Sequence, residues 1–288
     1  MKRVMVTGAG GMTGSEVCER APRAGWEASV FFHADLDITD PAAVAAAVKD
    51  SNPDVIINCA AYTAVDRAES EPEIADAANI EGPQNIARAA AAAGIPLIHL
   101  STDYVFRGDA QAPYEPYAEP NPSGVYARTK WAGEAAVRKE APNHVIVRTS
   151  WLFSHRGSNF LRTMLRLAAE RDEIRIVDDQ VGRPTSAADL ADALLVVAAA
   201  VHEKRDAAGT YHFANTGETT WFGFAQAIFE EAGTKTQSPR LVPITTRDFP
   251  TAAPRPAYSV LDTSSFTERF GVTPRPWREA LRETISLI

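Results

Sequence analysis

Val4-Met5-Val6-Thr7-Gly8-Ala9-Gly10-Gly11-Met12-Thr13-Gly14 carries an apolar run into glycines at Gly8, Gly11 and Gly14, spaced Gly-x-x-Gly-x-x-Gly, with a helical pattern beyond them. Glycine permits a tight turn, lets backbone approach a pyrophosphate, and lets a helix pack close on the preceding strand. A helix starting here turns its free amino-terminal N–H groups and the positive end of its dipole toward an anion. A plain tight turn would satisfy the same glycines, so the loop takes its meaning from the pattern that follows.

That pattern is strict alternation. Strands are expected at 2–7, 28–32, 55–58, 97–101 and 144–148, with helices at 13–24, 41–49, 72–93 and 126–140 between them. The second helix is announced by a capping Asp40 and by Pro41 at its first position. Alternation of this kind implies right-handed crossovers and a doubly wound parallel α/β sheet covered on both faces. Residues 1–150 read as a dinucleotide-binding domain. Beyond them come a helix at 160–171, a strand at 174–177, a helix at 188–201 and a strand at 210–213, then Pro-rich chain with helices at 222–232 and 278–288. Residues 151–288 therefore read mainly as a smaller substrate-binding lobe over the carboxyl edge of the sheet, with some segments returning to the first domain.

Composition narrows the role. The 288 residues are 45% hydrophobic and 23% charged, the balance of a globular protein with a sizeable core. A formal net charge of −8 argues against nucleic acid or an anionic membrane surface as partner, since both demand clustered Lys and Arg. The amino terminus enters a strand directly, no apolar stretch reaches membrane-spanning length, and Cys18 and Cys59 form no Cys-x-x-Cys, so a cytoplasmic chain without disulfides or thiolate zinc is expected. His33, His99, His144, His155, His202 and His212 show no metal-ligand spacing and read as structural.

The chemistry concentrates in Tyr126-Ala127-Arg128-Thr129-Lys130, where residues four apart share a helix face. A phenol is a poor acid at neutral pH, and a neighbouring ammonium brings its acidity closer to the task of protonating a nascent alkoxide. Upstream, Ser101-Thr102-Asp103-Tyr104-Val105-Phe106 closes a strand at the edge where parallel sheets hold ligands. Thr102 there is suited to donate to a carbonyl oxygen. The second strand ends in Phe31-Phe32-His33-Ala34, with neither a carboxylate for a ribose diol nor an arginine for a 2′-phosphate, so NADPH and NADH both stay open; Asp37 is a candidate neighbour of the adenine.

With these motifs, Asn58-Cys59-Ala60-Ala61, residues 60–72, Arg148-Thr149-Ser150-Trp151, residues 179–185 and Arg255-Pro256, the chain resembles the extended short-chain dehydrogenase/reductases. More narrowly it resembles the dTDP-4-dehydrorhamnose reductase family over nearly its full length. The resemblance implies a Rossmann-like fold and hydride transfer from NADPH, or NADH, to the C4 ketone of a nucleotide-linked deoxysugar. It implies Tyr126 as proton donor, Lys130 on the nicotinamide ribose and Thr102 on the ketone. It further implies Gly8, Gly11, Met12, Gly14, Asp37, Ile38, Cys59, Ala60, Ala61, Tyr62 and Ser101 as cofactor contacts, and Asp103, Tyr104, Val105, Trp151, Asn159 and Arg255 around the substrate. An arginine at 255 suits bidentate phosphate binding.

Two departures matter. Some family members dimerise around magnesium, and Glu16 stands at one such ligand position, but Ala188 occupies the place of a second acid and Asp189 is one helical step late. No metal is expected, and a monomer or homodimer remains open. In related dehydratases an Asp-Glu pair follows the threonine, whereas here the pair is Asp103-Tyr104, which favours plain reduction. A nucleotide-sugar epimerase and a noncatalytic nucleotide-binding regulatory subunit are the rival readings.

Overall fold

The computed structural model describes residues 2–203, 207–233 and 239–288. In β1 (Lys2–Thr7), Val4 and Val6 enter one buried cluster while Met5 enters another on the opposite side, as period-two geometry requires of a strand covered on both faces. The chain continues through α1 (Met12–Arg20), β2 (Trp26–Phe31), α2 (Pro41–Ser51), β3 (Val55–Asn58), the short α3 (Val65–Ala68) and α4 (Pro72–Asp76), α5 (Gly82–Ala93), β4 (Leu97–Thr102), α6 (Val125–Glu140) and β5 (His144–Thr149). Then follow β6 (Leu152–Phe153), α7 (Phe160–Ala168), β7 (Glu173–Val177), β8 (Val181–Gly182), β9 (Thr185–Ser186), α8 (Ala187–His202), β10 (Gly209–His212), β11 (Thr219–Thr220), α9 (Trp221–Ala232), β12 (Arg240–Ile244), α10 (Ser264–Phe270) and α11 (Trp277–Ser286).

The main sheet has six strands in the order β10-β5-β4-β3-β1-β2, every neighbouring pair parallel. From β1 the chain first builds β2 on one side, then crosses to lay β3, β4 and β5 on the other. The strand order thus reverses between β1 and β3, and ligands of open parallel sheets bind at such a switch point, beyond the carboxyl ends. Val17 of α1, Leu190, Leu194 and Val197 of α8, and Phe266 of α10 cover one face. Val44 and Val48 of α2, Ile86 and Ala90 of α5, and Val137 of α6 cover the other. A second core joins Phe153, Leu161, Met164, Phe224, Ile228, Trp277 and Leu281, drawn from β6, α7, α9 and α11, beside the parallel pair β7 and β12. Among the described residues no helix is long and apolar enough to cross a membrane.

Several elements differ from expectation for local reasons. The first helix stops at Arg20, and Pro22 opens a 3-10 turn over Ala21–Ala24. The expected helix over 72–93 carries a π-helical turn at Ala77–Glu81, because Pro83 has no N–H for the Asn79 carbonyl four residues back and its ring crowds that oxygen. The displaced Asn79 oxygen points at α6, where a Cβ on Gly133 would stand only 2.0 Å from it. Glycine at 133 is what lets the two helices meet.

Candidate active site

The carboxyl ends of β1, β3 and β4 converge on one crevice. Gly8 adopts φ +66, and a Cβ there would lie 2.5 Å from the Ala60 nitrogen, so the glycine loop rests directly on the Cys59-Ala60 backbone. A Cβ at Gly14 would lie 2.3 Å from the Gly8 oxygen, which explains the third glycine. Gly11 caps α1 without any side-chain acceptor, leaving the first-turn N–H groups free, and the buried Thr13 hydroxyl at that end has no partner. A diphosphate-bearing nucleotide suits a cradle built of free donors in this way. The Met12 side chain lies against the Gly157 turn. Asn58 ties the crevice floor together, accepting from Thr7 Oγ1 at 2.7 Å and the Ala60 N–H at 3.0 Å and meeting His99 Nδ1 at 3.0 Å. Burial pushes the Cys59 thiol up to about 12, so it is a neutral wall of the site.

Thr102 is the last residue of β4, and its hydroxyl accepts the Tyr104 N–H at 3.2 Å as a 3-10 turn, Asp103–Val105, begins. The same hydroxyl donates to Asp103 Oδ1 at 3.0 Å, on the side of the turn that Tyr126 faces. The Tyr104 and Tyr126 rings meet edge to face, 5.6 Å between centroids. Burial raises Tyr126 to about 12, Thr102 pulling it down and the Asp103 charge pushing it up. Dehydration therefore outweighs any help from cations here. Asp103 is 2% exposed, its Oδ2 accepts no well-formed hydrogen bond, and burial raises it to about 6 against the pull of Ser259 and Thr102. Tyr104 is also raised, by burial and then by Asp103, with Arg255 opposing.

One turn along α6, Lys130 Nζ donates to the Leu100 carbonyl of β4 at 2.7 Å. Burial lowers Lys130 to about 8, opposed by Glu134 and Cys59. Glu134, a further turn along, is fully buried; it receives Arg148 Nε and Nη2, each at 2.8 Å, and Arg138 Nη2 at 2.6 Å. Ser101 stands beside it, and together these bonds hold the Glu134 carboxyl below its ordinary value despite burial. Arg148 also donates to the Pro116 carbonyl and faces the buried His212.

Two residues that local sequence patterns did not single out aim α6. Glu69 Oε1 accepts the Val125 N–H at 2.7 Å and caps the helix, since Gly124 has no side chain to do so. Asn79 donates to Thr129 Oγ1 at 3.0 Å and exchanges two bonds with the Tyr62 backbone. No local signal marks them, because their partners lie 56 and 50 residues away. Glu134 had a signal in the stripe Tyr126, Lys130, Glu134.

The remaining candidates divide. Trp151 holds a positive φ of 46, a strained conformation for a bulky residue, and stacks on Trp221 with centroids 3.6 Å apart; a Cβ at Gly182 would strike its ring. Arg255 Nη2 pairs with Asp66 Oδ2 at 2.7 Å at a cleft that also includes Tyr104, Ser123 and Pro256. Ala61 and Tyr62 follow the β3 crevice, with the Tyr62 hydroxyl on Glu71. Three residues are not brought into the crevice. Ile38 is buried in the helix-covered core against Gly82, Val105 is fully buried with Phe106 and Leu261, and Asn159 spends its side chain capping α7 and bonding Ser154 and Arg156 carbonyls. Exposed Asp37 accepts from the Thr39 N–H and hydroxyl, which lower its pKa.

The residues around Glu16 do not fit magnesium. Its carboxylate meets Arg20 at 3.1 Å and His155 at 3.6 Å, while Asp189 is held by both ends of Arg275. Carboxylates already neutralised by guanidinium groups are poor ligands for a hard cation. Among the described residues no group of three or more His, Cys, Asp or Glu converges as a metal site.

The family model described as RmlD substrate binding domain matches residues 1–288. A dTDP-4-dehydrorhamnose reductase of Streptomyces griseus is 46% identical over 284 residues, covering 98% of this chain and 92% of the relative. That of Mycobacterium tuberculosis is 45% identical over 291 residues, covering 99% and 93%. The solved structure of dTDP-4-dehydrorhamnose reductase from Bacillus anthracis in complex with NADP superposes with a TM-score of 0.93 at 38% identity, covering all of both chains.

Proposed function

The chain belongs to the dTDP-4-dehydrorhamnose reductase family, and from that premise we propose that it reduces the C4 ketone of dTDP-4-dehydro-L-rhamnose to give dTDP-L-rhamnose, using NADPH, with NADH as an alternative. The observation that carries the reading is the placing of Tyr126 beside Thr102 at the carboxyl end of β4, one helical turn from a buried Lys130 whose Nζ is fixed on the Leu100 carbonyl.

Reduced nicotinamide, when bound, supplies the hydride. Tyr126 gives a proton to the oxygen that becomes the C4 hydroxyl, and Thr102 steadies that oxygen as charge develops on it. Lys130, fixed by the Leu100 carbonyl, holds the cofactor ribose, and its charge favours the phenolate once the phenol has reacted. Gly8, Gly11, Met12 and Gly14, with Cys59 to Tyr62 and Ser101, form the nucleotide bed; Asp37 borders the adenine. Asp103 and Tyr104 line the sugar, Trp151 packs on it with Trp221 behind, and Arg255 turns from Asp66 to the diphosphate. The second core carries the substrate end of the cleft. The two free cysteines and a reaction that draws on reduced nicotinamide support a cytoplasmic setting, and the cations around Glu16 support a monomer or a homodimer that does not depend on metal.

The test is an assay of the purified chain with dTDP-4-dehydro-L-rhamnose and NADPH or NADH, following absorbance of the reduced nicotinamide. A folded chain that turns over with neither would sink the proposal. Replacing Tyr126 by Phe should slow turnover by roughly tenfold or more with cofactor binding nearly intact.

A further inference from the structure

We infer, resting on the reductase reading above, that Gln180 and Trp221 are positioning residues for the substrate: together they hold the Trp151 indole as the wall against which the sugar presents its ketone. Residues 179–185, which serve neither the cofactor bed nor the proton donor, thereby gain a task.

Trp151 stands two residues beyond Thr149, the last residue of β5, and Thr149 is in register with Thr102 on β4. Trp151 therefore leaves the sheet beside the residue placed on the ketone. Its φ of 46 lies in the left-handed region, which a bulky side chain adopts only where its surroundings impose it. Three contacts do so. The Thr185 N–H donates to the Trp151 carbonyl at 3.1 Å. The indole passes over Gly182, where a Cβ would come within 2.4 Å of Cε2. Trp221 stacks on it, the ring planes 7° from parallel.

Trp221 can back that ring only if its own ring is fixed. Its backbone is anchored by Thr220, which caps α9 by accepting the Gly223 N–H at 3.0 Å and donates to Asp178 Oδ1 at 2.5 Å. Its indole Nε1–H donates to Gln180 Oε1 at 3.1 Å, and Phe160 rests against it with centroids 4.7 Å apart. The direction of the Gln180 amide is in turn set from outside. Thr246 Oγ1 donates to Asp179 Oδ1 at 2.6 Å, so its proton is spent and it accepts from Gln180 Nε2 at 3.0 Å. The carbonyl of Gln180 is thus turned to Trp221, whose indole N–H can only donate. A reversed amide would set N–H against N–H at one end and lone pairs against lone pairs at the other. Gln180 is buried, so that mismatch would be costly.

The sugar ketone must meet the nicotinamide and Tyr126 in one geometry, and a misplacement of about 1 Å costs roughly a hundredfold in rate. The test is a double-mutant cycle on kcat/KM for dTDP-4-dehydro-L-rhamnose. Gln180→Leu should lower it by roughly tenfold, mostly in kcat, with the Kd for NADPH within about twofold of the parent. Trp221→Phe, which keeps a stacking ring without an N–H, should lose about as much. In the Trp221→Phe background Gln180→Leu should cost less than about twofold, because the amide then has no indole to hold. Equal fractional losses in both backgrounds would mean that Gln180 only supports the fold. A rise in KM with kcat unchanged would mean that the wall binds without positioning, and an unchanged kcat/KM that it stands unaided; each of these overturns the inference. If Gln180→Leu does not fold, Thr246→Val decides, since it frees the amide from the outer side and touches neither indole. Its loss should be roughly fivefold and should vanish in the Trp221→Phe background; no loss, or one that persists there, overturns the inference too. A parent without turnover would sink the reductase reading and this inference with it; an active parent failing the measures above sinks the inference alone.

Discussion

Arg148→Met tests whether the buried charges behind the active site hold the fold. Arg148 and Glu134 are 1% and 0% exposed, and the substitution removes both 2.8 Å bonds to the carboxylate, leaving it the Arg138 ion pair at the rim with Ser101 beside it. Removing one partner of a buried pair costs about 3–5 kcal/mol, and the surviving Arg138 contact argues for the lower end, about 3 kcal/mol. At roughly 2–4 °C per kcal/mol for a large domain, the melting temperature should fall by roughly 6–12 °C at neutral pH. The sign of the pH dependence is fixed. Glu134 has a depressed folded pKa, so its contribution in the parent is full above the unfolded carboxylate value and is lost as pH falls through the depressed one. Without Arg148, burial lifts the Glu134 pKa and the variant takes up a proton on acidification. The gap between variant and parent should thus narrow from about pH 7 toward about pH 5. Replacing Glu134 as well, with Leu, should recover most of the loss, since the orphaned charge goes with it. Urea titrations of the three proteins at both pH values measure this; a deficit under about 1 kcal/mol, or one independent of pH, would refute it.

Gly14→Ala should raise the Kd for NADPH by roughly tenfold or more, because its Cβ would stand 2.3 Å from the Gly8 oxygen and push α1 off the loop; nicotinamide fluorescence titration would read this, and an unchanged Kd would show that the loop yields. NADPH affinity should weaken as pH rises through about 8, where Lys130 loses its proton, and Lys130→Met should flatten that dependence; calorimetric titration across the range checks both. The same depressed pKa means the unfolded chain holds the proton to higher pH, so the Lys130 contribution to stability rises from about 8 toward 10.5. Arg255→Met should raise KM for the sugar nucleotide by roughly fivefold with kcat unchanged, the sign of binding made equally in ground and transition states, and a fall in kcat instead would place Arg255 in the chemistry.

Much of this was legible in the sequence because its signals are local. The alternation of Val4, Met5 and Val6, the Gly8, Gly11 and Gly14 loop, and the Tyr126 and Lys130 spacing lie within a few residues, and the sheet and the crevice follow from them. Long-range pairing was not legible. Nothing near Arg255 announces Asp66, and nothing near Trp151 announces Trp221, since each pairing is made only when distant segments close over the sheet. The resemblance also names three residues whose side chains the structure engages elsewhere. Asn159 has the side chain of a ligand contact and of a helix cap, and the free N–H groups of α7 claim it. Ile38 and Val105 sit beside motif residues, yet their apolar side chains are taken into the interior.

The position of β10 bears on how the molecule is made. It completes the sheet at the β5 edge, with His212 paired to Arg148 and the Phe213 N–H on the Arg148 carbonyl, but it is encoded after α7, β7 and α8. A growing chain must therefore carry Val145, Ile146 and Val147 as a bare parallel edge while the residues of the second core are still being synthesised. Such pairing across a long stretch of chain is slow to nucleate, and an uncovered edge is a template for another copy. Ribosome-stalled chains ending near residue 150 should be more aggregation-prone than those extending past residue 213, and the enzyme's yield in a cell will depend on how well that interval is protected.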